Sequence, residues 1–197
     1  MSETAQPVLP FAVLQDLVNW LKAEGVPGII TGGVAASILG RPRVTRDVDS
    51  VIIIDLDVLA DFISSGHKYG FIPRLEDILA FAIKARVLLM KHKPTGIDID
   101  ISLGALPFEY ESIERAVWIN VGDFSLPLPT PEDLIIMKAV AHRQRDLIDI
   151  ESIIDANPNM DVQRIRTWVN EFSAVLEMPE ILDDLEKIFK QKQKHKE

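Results

Sequence analysis

From Pro10 onward apolar residues recur at three-to-four spacing. Phe11, Leu14, Leu17, Val18 and Leu21 fall on one face, and Gly25 ends the run, which predicts an amphipathic helix. Gly28-Ile29-Ile30-Thr31 is short and apolar and reads as a buried strand. Gly32-Gly33 marks a tight turn, and Val34 to Leu39 a short helix stopped by Gly40 and Pro42. Asp47 to Ile54 is β-branched and apolar, with acids at alternate positions at its start, the pattern of a second strand. Asp55 is placed to cap a helix reaching about Ser65, and Leu75 to Lys84 predicts another.

The period then returns to two. Arg86 to His92 and Ile97 to Leu103 flank the turn Lys93-Pro94-Thr95-Gly96 and predict a hairpin. Pro107 to Arg115 reads as a short helix. Trp118 to Val121 and Phe124 to Leu126 predict a second small hairpin around Gly122-Asp123. Thr130-Pro131-Glu132-Asp133 is the clearest helix start in the chain: threonine caps, proline suits the first helical position, and acids favour the first turn. That helix is expected to run unbroken to about Asp155, before Asn157-Pro158-Asn159. Two further helices follow, split at Pro179, and the Lys/Gln tail from Lys187 to Glu197 reads as a solvated helix end. The expected fold class is therefore α+β: a mixed sheet packed with helices over residues 1–128, and a helical region over 129–197.

Composition narrows the function. The 197 residues carry a net charge of −9 and no cysteine, which excludes disulfides and thiolate metal sites. Proteins that live on a nucleic-acid backbone usually carry a large positive excess, so long duplexes are not expected as partners. No apolar run approaches the ~18 residues of a membrane span; Asp55 and Asp57 break the best stretch, Val51 to Ile63. The N-terminus shows no basic region followed by an apolar core, and a cytoplasmic location is expected.

The candidate chemistry lies in the acids. Asp47 and Asp49 stand two apart on a strand, so they share a face with roots roughly 7 Å apart. Asp98 and Asp100 repeat the arrangement on a later strand. If the two strands are neighbours, three or four carboxylates share one face, a cluster that repels itself without cations. Hard oxygen donors suit Mg²⁺ or Mn²⁺, and a pair of such ions can activate a hydroxyl and stabilise a leaving pyrophosphate. Either pair alone reads more readily as acids on the wet side of a half-exposed sheet; the two pairs together, each flanked by apolar residues, suit both readings equally. Thr31-Gly32-Gly33 joins strand to helix, where glycines admit a phosphate close to the backbone and the helix N-terminus offers free N–H groups; a plain turn would look the same.

Taken together these pieces resemble the polymerase-β-like nucleotidyltransferase superfamily. Gly32-Gly33 precedes Asp47-Val48-Asp49, with Arg43-Val44-Thr45-Arg46 just before the pair, and a further acid follows on a later strand. The segment is similar to the minimal nucleotidyltransferases and the abortive-infection nucleotidyltransferase toxins. Pro131-Glu132-Asp133-Leu134, Lys138 and Arg143 to Asp149 also resemble the helix that follows the core in those relatives. The resemblance implies Asp47 and Asp49 as ligands of Mg²⁺ or Mn²⁺, Gly32 and Gly33 as the phosphate turn, and a nucleoside triphosphate as substrate. Its third acid falls on Asp98 or Asp100; Asp100 is preferred because Ile101-Ser102-Leu103 follows it. Gly33 stands where many relatives carry serine. The acceptor implied is a tRNA end, a protein hydroxyl or a small molecule, and the likeness to toxins implies an antitoxin as partner. A catalytically inactive relative acting as a binding or regulatory module is the alternative, against which the set of acids is complete.

On one continuous helix, Lys138, His142, Asp146 and Asp149 would fall on one face, suited either to the wall of a nucleotide site, with Lys138 on triphosphate oxygens, or to an exposed face of salt bridges. Arg41 and Arg43 are placed either to bind triphosphate or acceptor or only to neutralise the nearby carboxylates, and Arg46 reads as structural, neutralising Asp47. Trp20, Trp118 and Trp168 read as core or interface residues.

Overall fold

The computed structural model describes residues 10–194; the N-terminal segment read above for a signal and the last residues of the Lys/Gln tail lie outside them. Contacts divide the chain into two units. One takes the described part of Met1–Ala35 together with Arg43–Pro129; the other takes Ala36–Pro42 together with the described part of Thr130–Glu197.

The first unit opens with helix α1 (Phe11–Ala23), strand β1 (Gly28–Ile30) and the start of helix α2 (Gly32–Leu39), along which the division between units falls. The two glycines are thus the first residues of the helix rather than a separate turn before it. Strand β2 (Asp47–Ile52) follows. A short 3₁₀ turn at Leu56–Val58 leads into helix α3 (Leu59–Ser65), and Asp55 makes no side-chain capping bond there. Strand β3 (Phe71–Pro73) was not expected from sequence: three residues ending in proline carry almost no periodic signal. Helix α4 (Ile78–Ala85), strands β4 (Val87–His92) and β5 (Ile97–Leu103), helix α5 (Pro107–Glu114) and the hairpin β6 (Val117–Val121) and β7 (Phe124–Leu128) complete the unit.

The main sheet is five-stranded and mixed, in the order β1-β2-β5-β4-β3. Only β2 and β5 run parallel. Its two faces differ as the period-two pattern requires. Val48, Ile52, Ile99, Ile101, Leu88 and Met90 are fully buried on one side, each worth about 1.5–3 kcal/mol relative to exposure. Asp47, Asp49, Asp98, Asp100, Leu89 and Lys91 alternate with them on the other, partly open side. Away from that open side, Trp20 lies fully buried, stacked on Phe62 at 4.1 Å and Phe71 at 5.1 Å between ring centroids, with its indole N–H donating to Ser65 Oγ at 2.9 Å.

The second unit is helical: α6 (Pro131–Ala141), α7 (Gln144–Ala156), α8 (Val162–Leu176) and α9 (Glu180–Lys194). Thr130 caps α6 as expected, accepting from the Asp133 N–H at 3.2 Å. The single helix expected from Thr130 to Asp155 is broken. His142 adopts φ 49° and ends α6, and Asp146 accepts the Arg143 N–H at 3.3 Å to start α7. Lys138, His142, Asp146 and Asp149 therefore do not form a stripe along one helix. The architecture is the α+β arrangement expected, a mixed sheet with helices followed by a helical region.

Candidate active site

The parallel pairing of β2 with β5 aligns Asp47 with Asp98 and Asp49 with Asp100. Adjacent strands lie about 4.8 Å apart, so the acids of the two Asp-x-Asp pairs stand side by side on the open face. Two cross-strand rows result. One runs Ile72, Lys91, Asp98, Asp47; the other continues from Leu89 through Asp100 to Asp49.

The start of α2 closes on the second row. The Thr31 N–H donates to the Asp49 carbonyl at 2.9 Å, holding the entry of α2 against β2. Gly32 has φ +58°, and a Cβ there would lie 1.8 Å from Asp49 Oδ2, so both backbone and space demand glycine. A Cβ at Gly33 would lie 2.5 Å from Thr45 Oγ1 and 3.3 Å from Arg43 Nη2. The Thr45 hydroxyl donates to Asp47, with its carbonyl oxygen and its Oδ1 both at 3.2 Å. Gly32, Gly33, Arg43, Thr45, Asp47 and Asp49 therefore pack as one group, and a serine at position 33 would have to displace Thr45.

Cations already sit on the later pair. Arg74 reaches Asp98 Oδ2 through Nη1 at 3.2 Å and bonds the Asp100 carboxylate through Nη2. Lys91 Nζ lies 3.3 Å from Asp98 Oδ1. Neither cation was singled out by the sequence reading. Lys91 could have been, since it alternates in phase with Leu89 on a strand of the predicted hairpin; Arg74 could not, since the strand before it was not anticipated. Among the described residues, no group of three or more side chains is drawn together tightly enough to hold a metal as it stands. The donor set is still of the kind that suits Mg²⁺ or Mn²⁺: it is all carboxylate oxygen, it lies on one face, and the missing Cβ of Gly32 is what lets the Asp49 carboxylate lie against the start of α2.

In the helical unit Lys138 is only 4% exposed. Its Nζ lies 3.2 Å from Asp146 Oδ1 and 2.7 Å from Asp149 Oδ2. Burial pushes the Asp146 carboxyl up, but hydrogen bonds and charge from Arg143 and Lys138 outweigh it and hold the group below its ordinary 3.8. Arg143 Nε donates to Asp146 at 2.6 Å. His142 turns away to Asp184 Oδ2 at 3.2 Å. Arg41 pairs with Asp155 at 3.0 Å. Of the residues singled out from sequence, Gly32, Gly33, Arg43, Asp47, Asp49 and Asp100 thus lie in the first unit on or beside one sheet face. Lys138 lies in the second, engaged by two buried acids.

No family model and no curated protein matches this chain. Solved structures do. An antigenic nucleotidyltransferase-like protein from Paracoccidioides brasiliensis is similar with a TM-score of 0.54 and 17% identity, over 91% of this chain and 94% of that one. The lincosamide antibiotic adenylyltransferase LnuA, solved with lincomycin bound, gives a TM-score of 0.53 and 14% identity, over 76% and 99%. The antibiotic-resistance factor ANT(2'')-Ia gives 0.58 and 12% identity, over 85% and 93%. The chain has the nucleotidyltransferase-type fold.

Proposed function

We propose that this chain is a nucleotidyltransferase that moves a nucleotide from a nucleoside triphosphate, ATP foremost, to a hydroxyl of a small polar molecule. The observation that carries the reading is the β2–β5 register, which brings Asp49 beside Asp100 on an open face with Gly32, the first residue of α2, against Asp49. Asp47, Asp49 and Asp100 would hold Mg²⁺ or Mn²⁺. Bound there, the divalent ions supply neutralisation of triphosphate charge and a lowered pKa for the attacking hydroxyl.

The chain's own groups do the remaining work. Backbone N–H groups at the start of α2 face the triphosphate, where glycine lets phosphate oxygens approach. Arg43, beside Gly33, adds positive charge to that helix start. The acceptor oxygen bonds to the α-phosphorus, the bond to the bridging oxygen breaks, pyrophosphate leaves, and the acceptor proton passes to a carboxylate or to water.

Two considerations favour a small acceptor over a tRNA end or a protein. A net charge of −9 gives little attraction for a polyanion. LnuA, crystallised with lincomycin, and ANT(2'')-Ia, crystallised with adenylyl-2''-tobramycin, share this fold at nearly their full length. The test is incubation with each α-labelled triphosphate and Mg²⁺, against hydroxyl-bearing antibiotics, tRNA and cell extract. Metal-dependent label on a small molecule with release of pyrophosphate is expected. Label on tRNA alone would move the reading to the toxin-like acceptor and its antitoxin. Triphosphate binding without pyrophosphate release would mark an inactive binding module.

A further inference from the structure

The open face carries a cation that no motif announces. The Arg74 N–H donates to the Leu89 carbonyl at 3.0 Å, extending the β3–β4 ladder one step beyond Pro73 and Met90. Leu89 is in register with Asp100, and Asp100 with Asp49. Arg74 therefore heads the very row that ends at Asp49, against the start of α2. Its guanidinium passes over Leu89 and forks onto two carboxylates two residues apart on β5. The side chain is 25% exposed. Its Nε is buried with no hydrogen-bond partner among the described residues, so its polar contacts are those two acids. Asp98 is held a second time, by Lys91. For Asp100, 46% exposed at the side chain, Arg74 is the partner found among the described residues.

We propose that Arg74 is a positioning residue: it fixes the Asp100 carboxylate through one oxygen and leaves the other to a divalent cation, with Asp98 as its anchor. The inference rests on the metal-dependent reading above and extends it. A half-exposed aspartate on a strand is free to change rotamer, and a planar guanidinium that grips two acids at once removes that freedom more completely than a point charge does. Asp98, itself paired with Lys91, offsets the charge that a guanidinium beside a cation site would otherwise impose. The arrangement also gives the repeated Asp-x-Asp two distinct roles. Asp100 is the ligand, and Asp98 holds the residue that aims it.

Direct titration of the full-length, nucleotide-free protein with Mn²⁺, following free ion by electron paramagnetic resonance, tests this without reference to activity. Groups that orient metal ligands typically affect affinity by about 10–100-fold, and Arg74→Met is expected to weaken Mn²⁺ binding within that range. Arg74→Lys should recover only part of the loss, because an ammonium cannot span both carboxylates. Asp98→Asn should shift affinity in the same direction by less. Unchanged or tighter binding in folded Arg74→Met, or full recovery by Arg74→Lys, would overturn the proposal and leave Arg74 a counter-charge. If Arg74→Met does not fold, unchanged Mn²⁺ binding in both Arg74→Lys and Asp98→Asn overturns it equally. A wild-type protein with no Mn²⁺ site would sink the proposed function and this inference together, whereas a wild-type site indifferent to Arg74 sinks the inference alone.

Discussion

Two clusters in this protein are assembled from the same parts, a pair of aspartates gripped by a cation, and they differ chiefly in burial. On the sheet face Asp98 and Asp100 are 41% and 46% exposed at their side chains, under a guanidinium that is itself partly open. In the helical unit Lys138, Asp146 and Asp149 are 5%, 3% and 6% exposed. An ion in the first cluster can exchange for another, because water solvates whatever is released. In the second, any exchange strands a charge in a low-dielectric interior. Two aspartates and a cation thus suit a proposed site where wet and a brace where dry. This is why the carboxylates on the sheet, and not the tighter set around Lys138, carry the proposed chemistry.

The sharpest way to break that contrast is Asp49→Asn. If the sheet acids serve chemistry, transfer should fall by about a thousandfold or more, equivalent to the several kcal/mol of charge stabilisation a metal-held site provides. The metal-free protein should melt at or slightly above the wild-type temperature, since one repelling charge is gone. A large loss of apo stability would move Asp49 to the structural side of the comparison.

Lys138→Met tests the other cluster. It leaves Asp146 and Asp149 facing each other without their shared buried cation, and removing one partner of a buried ion pair typically costs about 3–5 kcal/mol. Urea unfolding should register a loss of that order. At a temperature where the variant stays folded, a raised Michaelis constant for triphosphate at unchanged kcat would show that Lys138 also serves binding. Unchanged stability would remove the distinction drawn here.

Acid sharpens the point. The Asp146 carboxyl sits below its ordinary 3.8, where burial opposes the shift and Arg143 and Lys138 prevail. A group with a depressed folded pKa contributes stability that is fully present above its unfolded value and fades as pH falls through the folded one. The stability gap between wild type and Asp146→Asn should therefore hold constant from pH 7 to 5 and narrow below about pH 4. A gap that widened on acidification would reverse the assigned sign.

How much of this was legible beforehand follows from which interactions are local. Asp47 and Asp49 announced a shared face because strand period is local, and the hairpin from Val87 to Leu103 announced itself through its turn. That β5 lies beside β2, in the register that joins Asp49 to Asp100, is a long-range parallel pairing that no local pattern encodes. Arg74 was missed because β3 has three residues and ends in proline. The break at His142 was missed because residues 131–156 contain no glycine, and no proline after Pro131. Its signal was the Arg143 to Asp146 spacing, where an acid at the third helical position reaches back to the N-cap. On one unbroken helix that acid falls in a stripe with Lys138, which hides the cap.

The mildest test concerns Lys91, the sheet-face counterpart of Lys138. It approaches Asp98 at 3.3 Å, with both side chains more than 40% exposed. Exposed pairs of this kind are worth about 0.2–1 kcal/mol, and salt screens them over a length of roughly 8–10 Å at physiological ionic strength. Lys91→Met should therefore change stability by less than about 1 kcal/mol, with the difference shrinking as NaCl is raised. The loss from Lys138→Met, shielded from solvent, should hardly respond to the same salt. Measuring both variants across one salt series separates the effect of burial from the effect of charge, because the two lysines each face aspartate carboxylates at close range and differ mainly in access to water. Equal salt sensitivity at the two positions would mean that the buried cluster opens to solvent in the folded protein, and the division between a wet site and a dry brace would have to be abandoned.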